Sequence, residues 1–151
     1  GVAVISIYAI DYYANADDVN SSILSWYGSD ISEYTSEAEK STAKVVEGRS
    51  YGIYYWKAYL IDPRGLGGIA IGEPLDYDMA LRILQYNQSS LNIYSLQRAY
   101  ARKAAGDSFG YGYISHSAHT TNGKIMNLPH YHAKTDSRGT EGKGHSFFSY
   151  N

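Results

Sequence analysis

The chain has 151 residues, 44% of them hydrophobic and 19% charged, which is the composition of one globular domain rather than of a disordered segment. It contains no cysteine, which excludes disulfides, thiolate zinc sites, cysteine nucleophiles and the zinc deaminase signature. The net charge of −2 argues against a strongly basic nucleic-acid binder. Tyrosine is abundant, with 17 residues against three Phe and two Trp, and this suits a β-rich fold with surfaces that stack on bases or sugars.

The charge is distributed unevenly along the chain. Residues 1–97 carry 6 Lys/Arg against 12 Asp/Glu, a net charge of −6. Residues 98–151 carry 7 against 3, a net charge of +4, and they contain all five histidines. We therefore expect the C-terminal part to attract a polyanion locally in spite of the acidic total.

The first 47 residues are predicted to form a linker or helical arm, separate from a domain at 48–151. The apolar run at 2–10 is shorter than the roughly 20 residues of a membrane-spanning helix, and no charged region precedes it as in a signal peptide. Residues 15–47 show helical signals instead. Since the chain begins with Gly1 rather than Met, we expect a fragment of a longer polypeptide or a processed product.

The remaining residues predict an α+β fold. The strongest strand signal is the run at 51–61, which is crowded with β-branched and aromatic residues and is expected to form a hairpin with the next strand. Strands are predicted at 51–61, 68–72, 91–94, 109–115, 128–133 and 145–150, and helices at 76–87 and 95–105, the second ended by Gly106. We expect a mostly antiparallel sheet packed against two or three helices, with the N-terminal helical arm as a separate layer.

The last two predicted strands contain three of the five histidines. Because successive side chains of a strand point to opposite faces, His130 and His132 share one face and Tyr131 takes the other. If the final strand pairs beside them, His145 joins the same surface. Imidazoles suit both proton-transfer roles of RNA cleavage, so His132 and His145 are predicted as general base and acid, with His130 orienting them.

Other candidate site residues lie on or near the segment at 134–144, which is long, polar and rich in glycine. Such loops are usually exposed, mobile and often functional. Its cations are predicted to contact a phosphate, and two tyrosines are predicted to stack on a base. The candidates for substrate contact are therefore Lys134, Arg138, Lys143, Tyr131 and Tyr150. His116 and His119, on a predicted loop, form an His-x-x-His pair that is compatible with metal binding or with no function.

A metal site is the main alternative to this acid–base interpretation. A His-x-His strand followed by a later histidine is a common zinc or iron ligand pattern, and His130, His132 and His145 would supply three ligands. A carboxylate is missing, because Asp136 and Glu141 lie on a loop that is not expected to reach the histidines. No metal and no other cofactor is therefore assigned. Histidines hydrogen-bonded at a polar sheet edge, and an aromatic-rich module that binds sugars without catalysis, also remain open.

Three pieces of the chain, spanning about residues 50–151, resemble a known family as an ordered set. They are the aromatic strand at 54–58 with the segment 71–75, the short strand at 92–94 before a basic helix, and the ending from 129–132 to 144–148. This order resembles the C-terminal toxin domains of bacterial polymorphic toxins, carried by wall-associated, YD-repeat or LXG-type proteins. The resemblance implies a secreted or surface-delivered effector of contact-dependent competition that acts in the cytoplasm of a target bacterium.

The resemblance further implies a cognate immunity protein as partner, an RNA substrate such as tRNA, and no membrane association of the mature domain. Many such domains are nucleases. No P-loop, Gly-x-Gly-x-x-Gly or Gly-x-Ser-x-Gly motif points to another enzyme class. The sequence therefore predicts a metal-independent ribonuclease, with a metal-dependent hydrolase or nuclease as the alternative.

Overall fold

A computed structural model describes residues 44–45, 47–60, 69–116, 120–121, 124–125 and 129–150. Residues 44–45 and 47–50 are helical, whereas nearly all of the predicted N-terminal helical arm at 1–47 lies outside the described residues. The predicted division of the chain at residue 47 therefore stays a prediction. His119 also lies outside the described part of the chain.

The fold is built on a six-stranded sheet. Its strands are β1 (Tyr55–Leu60), β2 (Ile69–Leu75), β3 (Asn92–Gln97), β4 (Tyr113–His116), β7 (His130–Ala133) and β8 (Ser146–Tyr150), and β5 (Thr120–Thr121) pairs separately with β6 (Lys124–Ile125). The strand order is β2-β1-β3-β8-β7-β4, and every neighbouring pair is antiparallel except β3–β8. The expected α+β fold with a mostly antiparallel sheet, including the β1–β2 hairpin, is confirmed.

Two helices follow from local sequence signals. Helix α1 (Tyr77–Gln85) begins after Asp76, whose carboxylate accepts a hydrogen bond from the Met79 N–H at 2.8 Å. Helix α2 (Arg98–Phe109) ends at Gly110, which has the left-handed φ of 80° that favours glycine. The prediction that Gly106 ends α2 is wrong, since a helical glycine costs only about 1 kcal/mol and the next turn packs Ser108 in the interior. Among the described residues, no helix has the length and apolarity needed to span a membrane.

One face of the sheet packs against both helices. Two apolar clusters fill this interface, one of Tyr55, Leu75, Ala80, Leu84, Ile93 and Ala104, the other of Ala101, Ala105, Tyr131 and Phe148. Three alanines of α2, Ala101, Ala104 and Ala105, are fully buried, and their small side chains let the helix lie close to β3, β7 and β8. We call this side of the sheet the helix face.

The other side of the sheet has a different composition. Because side chains alternate along a strand, the neighbours of the helix-face residues point the opposite way, and these include Trp56, Tyr94 and Phe147. All three are buried, and the rings of Trp56 and Tyr94 lie 6.2 Å apart. By the same alternation, His130 and His132 point to this side, opposite Tyr131. We call it the histidine face.

Candidate active site: a cluster of four histidines

Strand pairing brings four histidines together on the histidine face. The predicted pairing of the last two strands is confirmed, with His130 opposite Phe147, and His145 lies one residue before β8. His116 is the last residue of β4 and lies opposite His130 in the antiparallel register. The expectation that His116 lies in a loop is therefore wrong, because β4 extends to pair with the whole of β7.

The four imidazoles form one continuous group. His132 has its ring centroid 5.0 Å from that of His130, 4.6 Å from that of His145 and 4.9 Å from that of His116. The rings of His116 and His130 stack at 5.5 Å. Phe147 supplies an apolar wall, with its ring 5.2 Å from those of His130 and His145. The predicted gathering of imidazoles is present, and it includes one histidine more than expected.

Burial is graded across this group. His130 and His132 are 1% and 8% exposed, whereas His145 is partly buried and the His116 side chain is 36% exposed. Solvent therefore reaches the cluster on the side of His116, and the inner pair meets little water. Such a gradient suits a site that admits a small group from one direction.

His132 is held in one tautomer. Its Nδ1 lies 2.8 Å from the carbonyl oxygen of Gly142, and a carbonyl only accepts hydrogen bonds. The proton therefore lies on Nδ1, and Nε2 carries the free electron pair. Burial lowers the pKa of His132, and the nearby His116 lowers it further, while Glu141 and the Gly142 carbonyl act in the opposite direction. The lowered pKa favours the neutral imidazole of His132 at pH 7.

Asn92 fixes His145 in the same way. The Asn92 Nδ2 group donates to the Ser89 carbonyl at 3.1 Å, which sets the orientation of the amide. Its Oδ1 accepts from the backbone N–H of His145 at 2.8 Å and lies 2.7 Å from His145 Nδ1, so this nitrogen must donate. Asn92 is fully buried and was not predicted as a site residue. The only sequence signal of its role is that a polar residue stands at the first position of the otherwise largely apolar strand β3.

A carboxylate does reach the cluster, contrary to the sequence-based expectation. Glu141 accepts a hydrogen bond from Nε2 of His116. It gets there because the segment 134–144 folds back on β7, with Thr135 N–H donating to the Thr140 carbonyl at 2.8 Å. Lys134 and Glu141 then lie opposite each other in an isolated β-bridge. The carboxylate and the exposed imidazole form the outer rim of the site.

The same segment has a defined hydrogen-bonded path rather than that of an open loop. Asp136 Oδ1 accepts from the backbone N–H groups of Arg138 and Thr140 at 3.0 and 3.1 Å, and its Oδ2 accepts from Thr140 Oγ1 at 2.6 Å. These hydrogen bonds lower the pKa of Asp136, the one from Thr140 Oγ1 most strongly. Asp136 therefore holds the turn that delivers Glu141 and Gly142 to the histidines.

The predicted substrate-contact residues are dispersed. Tyr131 is 4% exposed and stacks on Phe148 in the helix-face core, which separates it from the histidines by the thickness of the sheet. Arg138 and Lys143 are exposed on the 134–144 turn, and Lys134 is partly buried beside it. The backbone of Tyr150 pairs with Gln97, and its side chain lies outside the description. The three cations remain candidates for contact with phosphate.

The cluster offers two sets of metal-ligand atoms. The nitrogens of His130, His132 and His145 lie within 4.8 Å of one another, and so do the ligand atoms of His116, His132 and Glu141. Both sets use His132, so an ion in one set competes with an ion in the other for this ligand. In the first set, His132 and His145 each donate Nδ1–H to an oxygen, which is the outer-shell arrangement typical of metal-binding histidines.

Comparison with known proteins assigns neither a family nor a function to this chain. The chain matches no protein-family model, no curated protein and no solved structure. The resemblance to polymorphic toxin domains therefore stays a prediction, and function is inferred from the residues of the site.

Proposed function

We propose that this chain is a ribonuclease toxin domain, that the histidine cluster is its catalytic centre, and that His130, His132 and His145 bind a divalent metal ion there. The observation that carries the proposal is the approach of three imidazole nitrogens to within 4.8 Å, with two of the rings fixed by oxygen acceptors. RNA as the substrate is supported by the resemblance to toxin domains and by the net charge of +4 over residues 98–151.

The geometry of the cluster suits a bound metal ion. A divalent cation placed among three histidine nitrogens that lie within 4.8 Å of one another would take all three as ligands. Three histidines with one open position are a ligand set of hydrolytic zinc sites. A bound ion would polarise a phosphoryl oxygen and lower the pKa of water in the open position.

The outer rim supplies the proton chemistry. Glu141 is exposed, and it reaches the cluster through its hydrogen bond with His116. A carboxylate at this position can accept a proton from an attacking water or hydroxyl group, and the His116 imidazole can pass a proton to the leaving oxygen. The apolar wall of Phe147 and the buried position of His130 exclude water from the inner side.

A metal-free reaction is the second candidate, and the pairing of His116 with Glu141 beside a neutral His132 favours it. Two imidazoles in different environments can act as base and acid. His132 Nε2 would take the proton of the 2′-hydroxyl while the 2′-oxygen bonds to phosphorus. The bond from phosphorus to the 5′-oxygen would break, and His116 would protonate that oxygen. In this version His116 takes the acid role that the sequence assigned to His145.

Cleavage of a labelled RNA by the purified domain tests both versions. The wild type, His132→Ala and the exposed control Gln88→Ala are compared before and after EDTA treatment and after addition of Zn²⁺. Cleavage that is lost with EDTA and restored by the ion supports the metal version. Cleavage that survives EDTA but is absent in His132→Ala supports the metal-free version. An intact RNA after incubation with the untreated, zinc-supplemented wild type would overturn both.

The toxin role has a separate test in cells. Induced expression of the wild type in a bacterium should stop growth and fragment total RNA on a denaturing gel, whereas His132→Ala and His145→Ala should do neither. A cognate immunity protein is expected to restore growth when it is produced alongside the wild type. Normal growth with intact RNA in all three strains would contradict the toxin proposal.

A further inference from the structure

A second concave site lies on the helix face, away from the histidines. It is a cleft of about 470 Å³ between the start of β1, the end of β2 and the two helices. Four of its lining side chains are tyrosines, Tyr54, Tyr55, Tyr77 and Tyr100, and Asp76 and Lys103 supply charge. The volume is in the range of sites that bind small ligands or single groups of larger ones.

The tyrosines form a continuous aromatic wall. The rings of Tyr54 and Tyr100 lie 4.7 Å apart, those of Tyr100 and Tyr55 6.3 Å apart, and those of Tyr55 and Tyr77 5.6 Å apart. Tyr55 is 5% exposed, and its hydroxyl donates to the Tyr100 carbonyl at 2.9 Å, which fixes the floor of the cleft. Tyr54 is 38% exposed at the rim. The wall is therefore fixed at its base and open to a planar ligand at its edge.

Cations lie at both ends of this wall. The guanidinium of Arg49 lies 4.2 Å from the ring centre of Tyr54, and the Lys103 ammonium lies 4.3 Å from the ring centre of Tyr77. Helix α2, which contributes Tyr100 and Lys103, carries three cations against one acid, namely Arg98, Arg102 and Lys103 against Asp107. Lys103 also pairs with the Asp107 carboxylate at 3.0 Å, so α2 has a net charge of +2.

The cleft and the histidine cluster are separate sites. His145 contacts Asn92 at the start of β3, whereas Tyr54 and Tyr100 line a small cavity with Gln97 at the end of this strand. Five residues of a strand span about 17 Å, and the two sites lie on opposite faces. One nucleotide cannot occupy both, but an RNA chain of several nucleotides can reach from one to the other.

We propose that the tyrosine cleft binds one unpaired base of the RNA substrate, with the adjoining phosphates on Arg49 and Lys103. The identity of the ligand rests on the proposed function. The physical basis is the combination of stacking surfaces and flanking cations, which is how proteins hold single-stranded nucleic acid without reading its sequence. A neutral sugar would use the same rings but would gain nothing from cations at both ends.

Binding of a short fluorescent single-stranded RNA, measured by anisotropy in the presence of EDTA, tests this inference. All proteins carry His132→Ala, so that cleavage does not interfere. Adding Tyr54→Ala should weaken binding about tenfold or more, because stacking on one aromatic ring is lost. Tyr54→Phe should stay within about twofold, since the stacking surface remains. Tyr86→Ala, which changes a tyrosine that is 66% exposed outside the cleft, should have no effect.

A salt titration adds an independent readout. Arg49→Ala should make the plot of log affinity against log salt concentration less steep, by the amount expected for the loss of about one phosphate contact. Equal affinity of the Tyr54→Ala and Tyr86→Ala proteins would overturn the inference, and so would a parent protein that binds an oligosaccharide but no RNA. If binding depends on Tyr54 while the wild type cleaves no RNA, the proposed catalytic function fails and the RNA-binding cleft stands.

Discussion

The two faces of the sheet show how one set of strands can serve stability and chemistry at the same time. On the helix face, Tyr131 and Phe148 pack against two alanines of α2, and every member of this cluster is apolar or aromatic. On the histidine face, their neighbours His130, His132 and Phe147 are equally buried, yet two of the three are polar. A buried polar ring contributes less to folding than an apolar one of the same size, so the composition of the second face calls for a functional reason.

The hydrogen-bond partners of the two faces differ as well. The helix face is held by side-chain packing, with a few bonds to backbone carbonyls such as that from Ser146 Oγ to Ala101 at 2.8 Å. On the histidine face, a buried asparagine, a carbonyl and a carboxylate are each aimed at an imidazole. Substitutions on the first face should therefore change stability, and those on the second should change the chemistry.

The largest effect on stability is expected on the helix face. Phe148→Ala should lower the free energy of unfolding by about 3–5 kcal/mol, because it leaves a cavity beside Tyr131 and α2. Denaturant unfolding measures this loss. Metal binding per folded molecule should stay the same, whereas His132→Ala should abolish it at a smaller cost in stability. A Phe148→Ala protein that is folded but has lost its metal affinity would show that the faces are not separable.

The next largest effect tests the support of the histidines. Asn92→Ala should reduce metal affinity, measured by zinc titration calorimetry, about 10–100-fold, because His145 loses the oxygen that fixes its tautomer. It should also cost about 1–3 kcal/mol, since the backbone N–H of His145 is left without its acceptor.

Asn87→Gly is the matched control for this prediction. Asn87 Oδ1 accepts from the Lys143 N–H at 2.8 Å but contacts no part of His145 in the described hydrogen bonds, and its φ of 56° suits glycine. The control should lose about 0.5–1.5 kcal/mol of stability and keep its metal affinity. Equal affinities of the Asn92→Ala and Asn87→Gly proteins would contradict a supporting role of Asn92.

The helix face and the inner histidines could be predicted because they obey strand alternation. The apolar and aromatic runs located six strands, and the His-x-His spacing placed His130 and His132 on one side. His145 followed from the pairing of the last two strands. These features depend on the two-residue alternation of side chains along a strand and on the pairing of strands that are close in sequence. Both can be recognised in one amino-acid sequence.

The rim of the site could not be predicted, because it depends on contacts between distant segments. Glu141 reaches His116 across 25 residues, and Asn92 reaches His145 across 53. Neither residue stands in a recognisable motif. The sequence does not place His116 on a strand, because the register of β4 against β7 sets its position and nothing in the local sequence after Tyr113 marks where β4 ends.

A smaller effect on metal affinity is expected from a substitution at Gly144, which lies against Leu84 of α1 and the backbone of Leu91. A methyl group on Gly144 would lie 2.8 Å from the backbone oxygen of Leu91, so the backbone before β8 must shift. Gly144→Ala should therefore cost about 1–3 kcal/mol and weaken metal binding, since His145 is the next residue. Gly52→Ala has open space around the new methyl group and should cost only about 1–2 kcal/mol for its φ of 77°, with metal binding unchanged.

The smallest effect concerns the turn that carries Glu141 to the histidine face. The pKa of Asp136 is lowered in the folded protein, mainly by the hydrogen bond from Thr140 Oγ1, so its carboxylate stabilises the fold above the unfolded pKa of about 3.9. That contribution is lost as the pH falls through the folded value. Asp136→Asn should therefore lower stability at pH 7, and its difference from the wild type should shrink as the pH falls below about 4. Thr140→Ala removes the strongest donor and should reduce the same pH dependence. Parallel curves of unfolding free energy against pH for the wild type and Asp136→Asn would show that the turn is held without this carboxylate.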